Sequence, residues 1–155
     1  MKGIILAAGN GTRLFPATYP VSKILLPVYD RPMIYYPLST MISAGIKDIL
    51  VIVGEKDIDG FKRSLGDGSR FGIKIEYIVQ YVQRGISDAF IIAEDWIKDE
   101  RIALILGDNI FYGGNTADVI SEAPESTAGA TIFGYKVKDP ERFGVIEFDD
   151  NGKVL

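Results

Sequence analysis

The sequence predicts an α/β protein, an open, mostly parallel (mixed) sheet flanked by helices. Three observations predict it. Apolar runs of strand length recur at residues 2–6, 49–53, 73–79 and 102–106. The segments between several of them carry helix-like apolar spacing. The first run ends in a loop of small residues, Ala7-Ala8-Gly9-Asn10-Gly11, followed by Thr12 and Arg13. In open α/β sheets ligands bind at the carboxyl ends of the strands, where this loop would lie.

The elements follow in order. Residues 2–6 read as a buried first strand. Residues 8–31 hold Pro16, Pro20 and Pro27 and little helical periodicity, and a loop this long is usually functional. It carries Arg13 and Lys23. Lys23 reads either as a solvated surface lysine or as an ammonium aimed inward by Ile24, Leu25 and Leu26. Pro32 is expected to start a helix. Its core candidates are Met33, Tyr36, Leu38, Met41 and Ile42, and Gly45 ends it. Tyr35 and Tyr36 read as core or interface aromatics. Residues 49–53 are continuously apolar, as in a strand covered on both faces.

Residues 57–65 predict a short helix, stopped at Gly66-Asp67-Gly68, and residues 73–79 the next strand. A polar loop, residues 80–86, then leads to a helix expected over 87–97 with Ser87 or a neighbour as its cap. Gln80 in that loop reads as a surface amide or as a reader of a base edge, because its side chain offers a donor and an acceptor. Strand 102–106 runs into Gly107-Asp108-Asn109. Asp108 reads either as the first residue of an Asx-turn or as a hard oxygen ligand for Mg²⁺. Residues 117–123 are expected to be helical, and 130–137 and 145–148 to be strands. Asn151-Gly152 reads as a hairpin tip.

Composition narrows the function classes. At 155 residues the chain can hold one domain with a real core. Its 47% hydrophobic and 25% charged content suit a globular protein. Without Cys or His, thiolate nucleophiles, disulfides, Ser-His hydrolysis and His-ligated metals are excluded. The net charge of −4 with scattered basic residues argues against a nucleic-acid surface but leaves room for one mononucleotide. No apolar run reaches a membrane span of about 18 residues, and no signal-peptide pattern opens the chain. The cytoplasm is the expected compartment.

The loop after the first strand can nest an anion on its amides, and Gly9 and Gly11 allow close approach. It is neither of two familiar phosphate loops. No G-x-x-x-x-G-K-[ST] run exists, and Leu14 stands where a dinucleotide fingerprint needs its third glycine. An ordinary strand-end turn remains the plainer alternative.

The segment Leu6-Ala7-Ala8-Gly9-Asn10-Gly11-Thr12-Arg13-Leu14 resembles the signature loop of the sugar-1-phosphate nucleotidyltransferases. Ser22-Lys23-Ile24-Leu25-Leu26-Pro27-Val28 is similar to that family's second signature. Met33-Ile34-Tyr35-Tyr36-Pro37-Leu38 narrows the resemblance to the glucose-1-phosphate thymidylyltransferase branch. The likeness runs through all 155 residues, with separated motifs in the right order.

The resemblance implies a Rossmann-like sheet of the nucleotidyltransferase type, with residues 1–155 as a truncated nucleotide-binding and catalytic core. Family members continue for about as many residues again, in a sugar-binding and assembly portion, and form homo-oligomers, typically tetramers. It implies nucleotidyl transfer from dTTP to glucose 1-phosphate, giving dTDP-glucose and pyrophosphate with Mg²⁺. Arg13 and Lys23 would be catalytic. Leu6, Ala8, Gly9, Gly11, Thr12, Arg13, Gln80 and Gly85 would hold the nucleotide. Asn109 and Gly144 would meet the sugar, and Asp108 the metal. One departure is visible: Asp88 stands where many members have Gln, and the preceding loop lacks their Pro. UTP or another sugar phosphate as substrate stays open, as does a nucleotide-binding module without turnover. An NAD-type oxidoreductase is disfavoured by Leu14.

Overall fold

The computed structural model describes residues 1–113, 129–151, 153 and 154. They fall into two compact units, one within Met1–Pro124 and one within Glu125–Leu155.

The first unit is a parallel sheet with helices on both faces. Its strands are β1 (Lys2–Ala7), β4 (Asp48–Val53), β5 (Lys74–Val79) and β6 (Ile102–Leu106), in spatial order β5-β4-β1-β6. β1 pairs with β4 and β6 in register Ile5↔Val51 and Ile5↔Ile105. The chain thus moves outward from β1 through β4 to β5, then returns to the other side of β1 as β6. That reversal is a switch point, and it opens a crevice beyond the ends of β1 and β6.

Side chains alternate across the sheet and so feed two cores. Ile5, Val51, Val53 and Ile75 pack with Leu38 and Met41 of α1 (Tyr35–Ser43) and with Phe61 and Leu65 of α2 (Ile58–Leu65). Ile4, Leu50 and Ile52 pack with Ala89 and Ala93 on the opposite face. The run 49–53 is wholly buried, as a strand sandwiched between helices must be.

Five expectations are corrected. Pro32 lies in a strand and starts no helix: β2 (Pro27–Val28) and β3 (Arg31–Pro32) form a two-residue antiparallel ladder, and the helix begins at Tyr35. A proline with no N–H suits a strand edge as well as a first helical turn. The helix expected over 87–97 is two, α3 (Asp88–Ile92) and α4 (Glu94–Ile97), broken at Ala93. The last turn answers to the strands below it: Lys2 Nζ donates to Trp96 O, and Trp96 Nε1 donates to Glu76. Ser87 makes no side-chain cap, because its helical dihedrals (φ −63°, ψ −25°) are not the extended ones a capping side chain needs. Residues 130–137 are no strand, since no ladder partner pairs with them among the described residues. The strand expected over 145–148 reduces to one bridge, Phe148 to Val154.

The turn between those two residues is held by Asp149, whose Oδ1 accepts from the amides of Asn151 and Lys153. Its expected tip residue Gly152, and the helix expected over 117–123, lie outside the described residues.

Tyr77 gives the first unit a pH signature. Its hydroxyl donates to Gly66 O at 2.7 Å, and burial pushes its pKa up to about 12. Below pH 10 both folded and unfolded chains keep this proton. Between pH 10 and 12 the unfolded tyrosine ionises first, so stability falls by up to about 1.4 kcal/mol per pH unit. Tyr77→Phe should lose about 1 kcal/mol at pH 7 and show a shallower alkaline decline in urea titrations. Equal declines in both proteins would refute this.

Candidate functional site

The site grows from the end of β1. Ala7 and Ala8 are buried, and the chain then turns outward through Gly9 and Asn10. Gly11 is left-handed (φ 62°, ψ 27°) and leads into a 3-10 turn, Thr12–Leu14. Thr18 Oγ1 donates to Gly11 O at 2.9 Å and ties the far part of the loop back to this point. A Cβ at Gly11 would stand 2.9 Å from Thr18 Cγ2 and 3.2 Å from Lys23 Cβ. Both backbone and space therefore demand glycine. Gly11→Ala should destabilise the first unit by at least about 1–2 kcal/mol, the cost of left-handed alanine before the clash is counted. An unchanged urea midpoint would sink that expectation.

A second 3-10 turn, Lys23–Leu25, lies against this loop. Ile24 is buried and anchors it. The anchor fits because residue 107 is glycine: a Cβ there would lie 3.1 Å from Ile24 Cγ2 and 3.2 Å from Ala7 Cβ. Gly107 N–H donates to Leu6 O at 2.9 Å, which sets the end of β6 beside the end of β1. Asp108 is the next residue. The result is a 2.5 Å ion pair between Lys23 Nζ and Asp108 Oδ2, joining residues 85 apart in the chain.

Arg13 sits in the Thr12–Leu14 turn, exposed, without a hydrogen bond or ion pair to a described residue. It shares the loop with Gly11 but is not joined to the Lys23–Asp108 pair. Asn109 is exposed, its amide donating to Leu106 O at 3.1 Å. Gln80 closes β5, with its amide on Val53 O and its buried side chain donating to Asp88. Gly85 is left-handed at φ 100° in an exposed loop. Gly144 belongs to the second unit, where it is exposed and a Cβ would meet nothing.

Two participants, Gln83 and Asp57, were not visible in the sequence, and neither was the contact that Asp88 makes. Gln83 Nε2 donates to Ala8 O at 2.5 Å, which brings the 80–86 loop against the β1 loop. Asp57 is buried beside the start of the Lys23 turn and accepts from the Ser22 amide; burial pushes its carboxyl up, opposed by Lys56 and by that hydrogen bond. Asp88 holds Gln80. Each links segments through a single polar side chain, and no periodicity marks such a residue.

Chemically, the switch point offers exposed loop backbone and the Lys23–Asp108 pair, and the Arg13 guanidinium is exposed on the loop that holds Gly11. Such a set suits a phosphorylated ligand. Among the described residues no three acidic side chains cluster to hold a metal by themselves. A single carboxylate still fits Mg²⁺, which completes its shell with substrate phosphates and water.

The nucleotidyl transferase family model matches residues 2–155, and the chain belongs to that family. Among curated relatives, the glucose-1-phosphate thymidylyltransferase of Neisseria gonorrhoeae is 59% identical over the whole chain, which covers 54% of that protein. The enzyme of the same name from Xanthomonas campestris pv. campestris (strain B100) is 52% identical over 99% of the chain and 52% of the relative. The chain thus spans about half the length of the curated relatives it matches.

Among solved structures, a protein assigned as a glucose-1-phosphate thymidylyltransferase from Bacillus anthracis, in complex with a sucrose, superposes with a TM-score of 0.92. It is 39% identical, and the match covers all of this chain and 62% of that one. A UDP-glucose pyrophosphorylase complexed with UDP-glucose shares the fold, with a TM-score of 0.68 at 23% identity over 80% of this chain and 52% of that one.

Proposed function

We propose that the protein carrying this chain transfers a nucleotidyl group from dTTP to glucose 1-phosphate, giving dTDP-glucose and pyrophosphate. One observation carries the reading: Lys23 and Asp108 meet at the switch point, beside a glycine loop built for close approach. The names of the relatives support the choice of substrates.

A phosphate oxygen of the sugar phosphate attacks the α-phosphorus of the nucleotide. The bond from that phosphorus to the bridging oxygen breaks, and pyrophosphate leaves with the electron pair. The attacking oxygen is already ionised, so no general base is needed, which suits a chain without His. Catalysis is positioning and charge neutralisation. The amides of residues 8–12, after Leu6, wrap the nucleotide. Arg13 takes the triphosphate and the leaving pyrophosphate, and Lys23 the α-phosphate and sugar phosphate. Gln80 and Gly85 meet the base; Asn109 meets the sugar. Asp108 would hold Mg²⁺, which supplies positive charge to the phosphates when bound.

We assign residues 1–155 to the nucleotide-binding and catalytic core of a longer homo-oligomeric enzyme. No described helix is long and apolar enough to cross a membrane, and we place the reaction in the cytoplasm with its charged substrates.

Thermal unfolding with dTTP, UTP, ATP and NAD, each with Mg²⁺, tests the reading, because a ligand of the folded state raises its stability. Pyrimidine nucleotides should give the largest shifts. A shift with NAD alone, or with none of the four, would reject it. Pyrophosphate release then separates turnover from a chain that only binds nucleotide.

A further inference from the structure

Asp57 stands at the N-terminal end of α2 without capping it. An Asp at that position usually accepts from the first amides of its own helix. This one has near-helical dihedrals (φ −103°, ψ −13°) and makes no side-chain cap hydrogen bond. It is 9% exposed, and its carboxylate accepts instead from the amide of Ser22, in another segment of the chain. The carboxylate also lies close to the end of β1, since a Cβ at Gly54 would stand 3.5 Å from Asp57 Oδ2 and 3.9 Å from Ala8 O.

What Asp57 holds is the seat of Lys23. Ser22 opens the 3-10 turn Lys23–Leu25. The next two anchors of that turn are apolar. Ile24 packs beside Gly107, and its carbonyl accepts from the Ile34 amide at 2.9 Å. Leu25 lies against α2, where a Cβ at Gly60 would stand 2.8 Å from Leu25 Cδ1. Asp57 and Gly60 are three residues apart, on one face at the start of the helix. That face grips the turn on both sides of Lys23, by a hydrogen bond before it and a close contact after it. Lys23 itself sends its ammonium to Asp108.

We propose that Asp57 is a positioning residue for Lys23: by fixing the amide just before it, the carboxylate sets where the ammonium stands relative to the reacting phosphates. Asp57 touches no substrate and acts only through the turn. A lysine stem is long and flexible, so its charged head is placed only as well as the backbone that carries it. The inference rests on the proposed function, in which Lys23 neutralises those phosphates.

The test measures kcat and KM for pyrophosphate release by the protein carrying this chain, with each substitution made alone and together with Lys23→Ala. Asp57→Ala removes the acceptor. Ser22→Pro removes the donor: residue 22 has φ −57°, which a proline ring fits, and its buried hydroxyl has no hydrogen-bond partner among the described residues to lose. Asp57→Asn keeps a carbonyl acceptor. Asp57→Ala and Ser22→Pro should each lower kcat by about tenfold or more, since a misplacement of about 1 Å can cost about a hundredfold. KM for dTTP should change by less than about threefold, and Asp57→Asn should keep kcat within about threefold of normal. On top of Lys23→Ala, either substitution should cost less than about twofold, because a residue that acts through another has nothing left to act on. A merely structural role would lower the rate by the same factor in both backgrounds. Equal factors overturn the proposal, and so does an Asp57→Asn protein as slow as Asp57→Ala. If Asp57→Ala does not fold, Ser22→Pro decides, and a normal kcat there overturns the proposal while leaving the role of Lys23 intact. If the unaltered protein releases no pyrophosphate, or Lys23→Ala releases it at the normal rate, the proposed function itself fails, and this inference with it.

Discussion

Under the proposed function, Lys23→Ala should lower the rate of pyrophosphate release by about 10²–10³-fold, the usual cost of removing one preorganised charge from a developing negative centre. The loss should fall mainly on kcat, because charge builds on the reacting phosphates as the transition state forms. Stability should hardly move. The lysine and its partner are 26% and 37% exposed at the side chain, and ion pairs that open to water contribute about 0–1 kcal/mol. Large kinetic loss with an unchanged melting curve is the signature of a working group. Lys23→Ala and Asp108→Ala together should cost less than the product of the two single effects, since the residues are in contact. A Lys23→Ala enzyme within tenfold of the normal rate would remove this residue from the chemistry.

Phe61→Ala should produce the largest loss of stability. Phe61 is 0% exposed and lies where α2 meets the sheet, in the core shared with α1. Emptying a site of this kind costs about 3–5 kcal/mol, a large part of the 5–15 kcal/mol that holds a typical domain together. For a chain of this size each kcal/mol shifts the melting temperature by about 2–4 °C, so a drop of about 6–20 °C is expected. Chemical denaturation giving under 1 kcal/mol would mean that the helix repacks over the gap.

The strands were legible where their physics is local. Residues 49–53 are a run whose apolarity alone requires burial on both faces, and Ile102–Leu106 is a second apolar run; both are strands in the structure. The second, expected to be buried, stands at the end of the sheet, and only its Ile105 is buried. The β2–β3 ladder was not legible, because two residues per strand carry no alternation. Pro32 was misleading for the same reason: its ring satisfies two different elements. Residues 130–137 have strand-like composition, but a strand needs a neighbour, and sequence periodicity does not report neighbours. At the site, glycine chemistry pointed to the β1 loop. Nothing local tied Lys23 to Asp108; their ordered motifs did so through resemblance. The amide of Gln80 was noticed, whereas its clamp by Asp88 was not, since a buried carboxylate eight residues away looks like any helix-start acid.

Under the proposed function, the bond between Lys23 and Asp108 also couples nucleotide to metal. In the empty cleft each charge already satisfies the other. A bare triphosphate that captured the ammonium would strand a carboxylate among phosphates, and a bare divalent cation that captured the carboxylate would strand an ammonium beside it. Only the two together release both residues into better company. Nucleotide and magnesium should therefore each tighten the other's binding, and titrations of dTTP with and without the metal should differ by at least tenfold, about 1.4 kcal/mol of mutual reinforcement.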